Sequence, residues 1–229
     1  MATHREKRAV CLLSGGLDSA VAAAWAQHEG FEVVALTVDY GQVHSVELEA
    51  ACRVAESLGI SDHRRLDVDL AAFGGSALTG DGDIPKEGRV GDSAIPPTYV
   101  PGRNAVLLTL ALSLAEALDA DAVVYGANAV DYSGYPDCRP EFVAAMGEVA
   151  RLGTKRGVEG APTLVLAPLV DWSKAAIIER ALEWGVDLGV THSCYDPGCD
   201  GAPCGACDSC RIRAAGFAEA GARDPALGG

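Results

Sequence analysis

The sequence contains no apolar run long enough to cross a membrane. Its longest apolar stretch, residues 105–115, is interrupted by Thr109 and Ser113, whereas a membrane-spanning helix needs about 20 predominantly apolar residues. The charged first residues lead into a short apolar run, residues 9–13, and then into a glycine turn instead of a cleavage site, which is not typical of a signal peptide. These absences predict a cytoplasmic protein without a membrane partner.

Basic residues are also scarce. The 229 residues include 18 Lys and Arg against 32 Asp and Glu, which gives a formal net charge of −14. Such an acidic balance disfavours a large contact with the phosphate backbone of a nucleic acid. Apolar residues make up 49% of the chain, which is enough to bury the core of one large domain. We therefore expect a soluble globular protein that does not bind nucleic acid.

Disulfides are not expected in the cytosol, where thiols are kept reduced, yet the chain has eight cysteines. Cys204, Cys207 and Cys210 form two successive Cys-x2-Cys steps, and Cys194 precedes them by nine intervening residues. Four thiolates suffice for a closed tetrahedral zinc site with a structural role. An iron–sulfur cluster uses the same ligands, and Cys199 is a fifth candidate ligand. The pattern favours one structural zinc ion bound by Cys194, Cys204, Cys207 and Cys210.

Apolar runs rich in Val and Leu alternate with helical patterns along the chain. Strands are predicted at residues 9–13, 33–38, 66–68, 122–125 and 163–166, and helices at residues 18–28, 45–58, 104–118, 140–152 and 173–184. This alternation indicates an α/β fold with a parallel sheet and helices on both faces. Residues 1–189 are predicted to form the main nucleotide-binding domain. Residues 190–229, rich in Cys, Gly, Asp and Pro, are predicted to form a small helical zinc-knuckle unit packed on it.

Residues 71–97 are rich in glycine and proline. They are too many for an ordinary connection between two elements, so we interpret them as a lid or an insert.

A glycine-rich turn, Ser14-Gly-Gly-Leu-Asp18-Ser19, follows the first predicted strand and opens a helix. This arrangement presents backbone N–H groups and the positive end of a helix to an anion. The alternative is a plain turn capped by Asp18. The motif Ser-Gly-Gly-x-Asp-Ser resembles the pyrophosphate loop of the ATP pyrophosphatase superfamily. The resemblance implies ATP as co-substrate and the following ATP contacts: Leu13, Ser14, Gly15, Gly16, Leu17, Asp18, Ser19, Ala20, Val21, Ala22 and Ala23.

Further motifs extend the resemblance over nearly the whole chain. They are Asp39-Tyr-Gly-Gln-Val-His44 with Glu47, Val100-Pro-Gly-Arg-Asn104, Gly126-Ala-Asn128, the segment 131–141 and the cysteine pattern. In this order they resemble the QueC family of queuosine biosynthesis. The resemblance implies a Rossmann-like fold of the adenine nucleotide alpha hydrolase type and a homodimer. It also implies a ligase that converts 7-carboxy-7-deazaguanine, ammonia and ATP into the nitrile 7-cyano-7-deazaguanine.

The implied chemistry needs charged groups beside the phosphates. A carboxylate is a poor electrophile, so ATP must first activate it, and the amide formed with ammonia must be activated in the same way before its oxygen is lost. We interpret Asp18 as a Mg2+-binding residue and Arg103 and Lys174 as cations that bind the phosphates or the substrate carboxylate. A surface salt bridge of Arg103 and a solvated Lys174 are the alternatives. His44 as a general base and Glu47, which orients it, complete the predicted catalytic set.

Substrate contacts are predicted chiefly in the segment 131–141. Tyr135 is suited to stacking on the deazaguanine, and Asp131 or Asp137 to pairing with its N–H edge, whereas composition alone favours a surface loop. Cys138 is interpreted as a packing or pocket residue, because activation by ATP needs no covalent enzyme intermediate. The predicted substrate-binding set is Tyr40, Gln42, Asn104, Asp131, Tyr135 and Asp137.

Three rival functions share parts of this pattern. A tRNA thiolation enzyme would use the same loop but needs a basic RNA surface, which the net charge disfavours. A zinc-knuckle binding module would show no ATP-dependent chemistry. A related ligase of another deazapurine pathway would show the same motifs.

Overall fold

A five-stranded parallel sheet organises the chain. The computed structural model describes residues 5–44, 46–80, 82–86, 95–128 and 134–227. The strands are β1 (Arg8–Leu12), β2 (Glu32–Asp39), β3 (Asp62–Asp67), β4 (Ala122–Val124) and β5 (Leu164–Leu166). They lie in the order β3-β2-β1-β4-β5, and every neighbouring pair is parallel. The predicted parallel α/β fold is therefore confirmed.

Helices connect the strands and cover the sheet. They are α1 (Leu17–His28), α2 (Val46–Ser57), α3 (Arg103–Ala117), α4 (Pro140–Gly153), α5 (Lys155–Val158), α6 (Lys174–Glu183) and α7 (Asp208–Glu219). Short helical turns occur at Ala71–Phe73, Ala77–Thr79, Pro136–Cys138, Leu188–Val190 and Pro225–Leu227. Within the described residues, no helix has the length and apolar character that a membrane crossing requires.

Both faces of the sheet are buried, because successive side chains of a strand point to opposite faces. On β1, Ala9 and Cys11 pack into a core formed with α1, α2, α6 and α7, whereas Val10 packs into a second core with α3 and α4. Strands buried on both faces are near-continuous apolar runs, which explains why β1, β2 and β4 are evident in the sequence.

The third strand differs from its prediction. It spans Asp62–Asp67 instead of residues 66–68. It is an edge strand that pairs only with β2, and its side chains are exposed or partly buried. Charged side chains on an edge prevent further strand pairing, but they also remove the apolar pattern by which strands are recognised.

Side-chain N-caps mark the starts of α5 and α6. Ser173 is the N-cap of α6: its hydroxyl accepts a hydrogen bond from the Ala176 N–H at 3.2 Å, as an N-cap serine does. α4 ends at Gly153, where Thr154 begins the additional helix α5 by accepting a hydrogen bond from the Gly157 N–H at 3.0 Å.

The segment 71–97 is partly described. Of its short turns at Ala71–Phe73 and Ala77–Thr79, the second buries Ala77 and Leu78, and Leu78 lines a cavity at the carboxyl edge of the sheet. The rest of the predicted lid or insert includes residue 81 and residues 87–94, which lie outside the described residues.

Helix α7 is attached to the body of the protein by a buried ion pair. The Arg213 guanidinium donates to both Asp224 carboxylate oxygens at 2.6 and 2.8 Å, and it also donates to the Leu188 carbonyl at 2.9 Å and to the Thr191 hydroxyl at 2.8 Å. The two side chains are only 9% and 5% exposed. A fifth acceptor is the Ser193 hydroxyl at 3.3 Å, so the arginine joins α7 to the chain that precedes the cysteine cluster.

We expect Asp224→Ala to lower the free energy of unfolding by about 3–5 kcal/mol, because it leaves the Arg213 charge buried without its partner. Asp62→Ala is the control: it removes a pair with Arg64 in which both side chains are 43% exposed, and we expect it to cost about 1 kcal/mol or less. Denaturant unfolding measures both. Equal effects of the two substitutions would contradict this account.

Candidate active site at the carboxyl edge of the sheet

The segments that follow β1, β2 and β4 meet at the carboxyl edge of the sheet, where ligands bind in open α/β folds. They surround a cavity of about 240 Å³. The cavity wall contains twelve of the residues that the sequence singles out: Leu13, Ser14, Gly16, Leu17, Asp18, Ser19, Tyr40, Gln42, Glu47, Arg103, Asn104 and Lys174.

The turn from Ser14 to Ser19 is closed by its own hydroxyl groups. The Ser19 hydroxyl accepts a hydrogen bond from the Ser14 N–H at 3.2 Å and donates to the Gly16 carbonyl at 3.0 Å. Gly16 occupies the N-cap position of α1 without a side-chain cap. The alternative in which Asp18 caps the helix is therefore wrong, and the start of α1 keeps N–H groups available for an anion.

The backbones of α2 and of the segment around His192 pack against the turn from Ser14 to Ser19. Gly15 has a φ of +82°, and a Cβ at this position would lie 2.5 Å from the Ala51 nitrogen of α2. From the other side, the His192 N–H donates to the Gly15 carbonyl at 2.9 Å. Only glycine combines this conformation with so close an approach, so the turn is fixed between α2 and the segment before the cysteines.

Asp18 is the most strongly bound carboxylate of the cavity wall. The Lys174 ammonium lies 2.6 Å from both of its carboxylate oxygens, and the Asn128 side chain donates to one of them at 3.1 Å. Lys174 is 12% exposed, so the alternative of a solvated lysine is wrong. Its side chain passes over Gly216 of α7, where a Cβ would meet Lys174 Cγ at 2.4 Å.

Arg103, Tyr40 and Glu47 form a second polar group of the wall. The Arg103 guanidinium lies over the Tyr40 ring, 5.6 Å from its centre, and its Nε donates to Asn104 Oδ1 at 3.4 Å. Burial raises the pKa of Glu47 to about 7, although the nearby Arg103 charge lowers it. Arg103 faces the cavity, so the alternative of a surface salt bridge is wrong.

Asp137 and Tyr135 do not line the cavity. The Asp137 carboxylate accepts a hydrogen bond from the Asn104 N–H in the first turn of α3 at 3.0 Å, and the Asn104 side chain donates to the Asp137 carbonyl at 3.3 Å. Tyr135 shares a hydrogen bond of 2.8 Å with the Thr98 hydroxyl. In contrast, Cys138 lies in the wall, as expected of a pocket residue.

Several other predicted site residues also lie away from the cavity. His44 is not part of its wall, and its Nε2 lies 3.9 Å from an Asp196 carboxylate oxygen. The side chains at positions 20–23 are fully buried in the core beneath α1. Asp131 lies outside the described residues.

The chain around the cysteines supplies cavity residues that have no signal in the sequence. They are His192, Ser193, Tyr195, Ser209, Ile212 and Arg213. Burial lowers the pKa of His192, which favours a neutral ring whose Nε2–H donates to the Cys194 carbonyl at 3.1 Å. Asn128, which holds Asp18, belongs to a motif that the sequence does show.

Four cysteines form a compact cluster beside the cavity. The sulfurs of Cys194, Cys204, Cys207 and Cys210 all lie within 4.8 Å of one another. Backbone N–H groups point at two of these sulfurs: that of Cys204 donates to Cys194 Sγ at 3.2 Å, and that of Cys207 donates to Cys204 Sγ at 3.3 Å. Cys199 is exposed and does not belong to the cluster. The cluster is suited to binding one metal ion.

Known proteins place the chain in a family. The family model described as queuosine biosynthesis protein QueC matches residues 8–221. The chain belongs to the QueC family. It is 57% identical over 221 residues to the 7-cyano-7-deazaguanine synthase of Stenotrophomonas maltophilia (strain K279a), with 96% of this chain and 99% of the relative covered. It is 54% identical over 225 residues to the enzyme of that name from Desulfatibacillum aliphaticivorans, with 96% of each chain covered.

Solved structures share the fold at low identity. An NMN synthetase from Francisella tularensis has a TM-score of 0.50 at 18% identity, with 96% of this chain and 79% of that chain covered. A 4-thiouridine synthetase, solved in complex with RNA and ATP, has a TM-score of 0.51 at 23% identity, with 79% of this chain and 41% of that chain covered. These likenesses agree with the Rossmann-like fold of the QueC family.

We expect Gly126→Ala to lower the free energy of unfolding by about 1–3 kcal/mol through overpacking. A Cβ at Gly126 would lie 2.7 Å from the backbone carbon of Asp18, so either this loop or the Asp18 turn must move. Gly147→Ala is the control: no atom lies within 4 Å of a Cβ at this position of α4, and alanine stabilises a helix by about 1 kcal/mol relative to glycine. Denaturant unfolding should show a lower free energy of unfolding for Gly126→Ala and a higher one for Gly147→Ala. An unchanged free energy of unfolding in Gly126→Ala would contradict the close contact.

Proposed function

We propose that the protein is an ATP-dependent 7-cyano-7-deazaguanine synthase that joins ammonia to 7-carboxy-7-deazaguanine. The observation that carries the proposal is the turn from Ser14 to Ser19, with Asp18 and Lys174 beside it in the cavity wall. Membership of the QueC family and the name of the relatives support the substrate and the product.

The reaction needs two activations at one site. In the first, a substrate carboxylate oxygen attacks the α-phosphorus of ATP and pyrophosphate leaves. Ammonia then attacks the acyl carbon, and AMP leaves with the original carboxylate oxygen, which gives the amide. In the second, the amide oxygen attacks the α-phosphorus of another ATP and pyrophosphate leaves. Loss of AMP, which carries the amide oxygen, and of the two N–H protons then gives the nitrile. The protein contributes chiefly by positioning the reactants and stabilising charge.

The turn supplies the pyrophosphate-binding groups. The N–H groups at the start of α1 are hydrogen-bond donors for phosphate oxygens, and the hydrogen bonds of the Ser14 and Ser19 hydroxyl groups hold the turn in shape. Lys174 provides a buried positive charge beside them. An Asp18 carboxylate oxygen is a ligand type that suits Mg2+, which is usually bound by one or two carboxylates together with substrate phosphates. When bound, Mg2+ would neutralise charge on the phosphates.

The cysteine cluster fits a structural zinc ion. Four thiolates occupy every position of a tetrahedral zinc site and leave none for water or substrate. The backbone N–H groups that donate to the sulfurs of Cys194 and Cys204 stabilise negative charge there. We therefore assign the ion to folding of the segment that forms one wall of the cavity, and not to the reaction.

We expect purified protein incubated with 7-carboxy-7-deazaguanine, ammonium, Mg2+ and ATP to form the nitrile with two AMP per product. Mass spectrometry of the heterocycle and the nucleotides measures both. Asp18→Asn should lower the rate by about 100-fold or more, because it removes the charge that faces Lys174 and the cation. Asp67→Asn is the control: the Asp67 side chain is 80% exposed, and its substitution should leave the rate unchanged.

The nucleotide products decide between alternatives. Release of ADP instead of AMP would show that ATP activates the substrate by phosphorylation and not by adenylation. Folded protein that consumes neither the heterocycle nor ATP would contradict the synthase proposal, and an Asp18→Asn variant of full activity would remove Asp18 from the mechanism.

We expect Cys207→Ser to lose zinc and to become largely insoluble, because a structural zinc site contributes directly to folding. Cys207 is fully buried. Cys199→Ser is the matched control, because Cys199 is exposed and lies outside the cluster, and it should retain one zinc per chain. Elemental analysis by plasma mass spectrometry and circular dichroism test this pair. Iron in the purified protein, or a folded and zinc-free Cys207→Ser, would contradict the assignment.

A further inference from the structure

One carboxylate in the cavity wall has no role in the steps above. Glu47 lies in the first turn of α2 and lines the cavity. None of the residues that the structure describes donates a hydrogen bond to its carboxylate or forms an ion pair with it. Asp18, in contrast, has both Lys174 and Asn128 as partners. Glu47 is therefore available to accept hydrogen bonds from a ligand.

A cation belongs to the same cavity wall as this carboxylate. Arg103 lines the cavity together with Glu47 and Tyr40, and its guanidinium is held over the Tyr40 ring. Its Nε donates to Asn104 Oδ1, and because a guanidinium has five N–H donors, others remain for a ligand. Together, Glu47 and Arg103 provide two acceptor oxygens and several N–H donors in the wall of one cavity.

This arrangement is complementary to one edge of a guanine-type base. On its six-membered ring, a 7-deazaguanine presents the N1–H and 2-amino donors side by side, next to the O6 acceptor. An ionised carboxylate accepts from two neighbouring N–H groups, and a guanidinium donates to a carbonyl oxygen. The five-membered ring, which carries the reacting carboxylate, points away from this edge.

We propose that Glu47 accepts hydrogen bonds from N1–H and the 2-amino group of the deazaguanine while Arg103 donates to its O6, so that these two residues determine base specificity. This inference rests on the proposed function and deepens it. It replaces the pairing that the sequence suggested for Asp137, whose carboxylate binds the Asn104 N–H outside the cavity wall. Glu47 thereby contacts the substrate directly and does not act through His44.

The test compares 7-carboxy-7-deazaguanine with the analogue that lacks the 2-amino group. We expect the wild-type enzyme to prefer the amino substrate by about 100-fold in kcat/KM, since a bidentate contact to a base edge is lost with the analogue. In Glu47→Gln, kcat/KM for the amino substrate should fall by about 100-fold and the preference should shrink to within about 5-fold. The KM for ATP should not change.

Glu49→Gln is the matched control, because Glu49 lies on the same helix with its side chain 73% exposed. It should keep both the activity and the preference. The change of preference distinguishes base recognition from a structural role of Glu47. Loss of a structural role would lower kcat/KM equally for the amino substrate and for the analogue.

The failures of the two proposals are distinguishable. A wild-type enzyme that makes no nitrile contradicts the proposed function. A wild-type enzyme that makes the nitrile but accepts the analogue equally well overturns the inference, even if Glu47→Gln does not fold. A folded Glu47→Gln that keeps the wild-type preference also overturns it.

Discussion

Backbone packing around the turn at Ser14–Ser19 constrains the rest of the site. Gly15 lies against α2 and Gly126 lies against the Asp18 backbone, and neither position has room for a Cβ. A third contact holds the turn through the hydrogen bond from the His192 N–H to the Gly15 carbonyl. Because these contacts are made by main-chain atoms, the turn cannot adjust through side-chain rotation. The same contacts place α2, and with it Glu47, next to the turn at Ser14–Ser19.

The fold was largely predictable because its central strands are buried on both faces. β1, β2 and β4 are apolar runs, and the helices between them carry apolar residues at helical spacing. β3 was displaced in the prediction because an edge strand carries charged side chains, such as Arg64 and Arg65, that hide its period. The cavity wall formed by His192 and Arg213 was not predictable, since it depends on how the C-terminal segment packs back onto the turn.

The site residues show the same division between local and long-range information. The position of Asp18 in the wall follows from its motif, but its partner Lys174 is 156 residues away along the chain, and the sequence around Lys174 indicates only the start of a helix. Asp137 has the chemistry to pair with a base, yet the first turn of α3 has N–H groups without helical partners. The carboxylate satisfies one of them, across 33 residues, which composition cannot reveal.

The proposed binding of ATP and a carboxylate by an acidic protein requires that charge repulsion be overcome, and charge pairs at the cavity contribute to this. Lys174 is paired with Asp18 and Arg213 with Asp224, so two of the wall's cations are already compensated although the chain carries −14. An anion that arrives alone must compete with Asp18 for Lys174, whereas a phosphate accompanied by a divalent cation offers Asp18 a new partner. In the proposed complex, a base with a donor edge would give Glu47 the hydrogen-bond partners that the described residues do not supply. The pairing thus favours ligands that bring both signs of charge or both donors and acceptors, and this selectivity does not depend on the net charge of the protein.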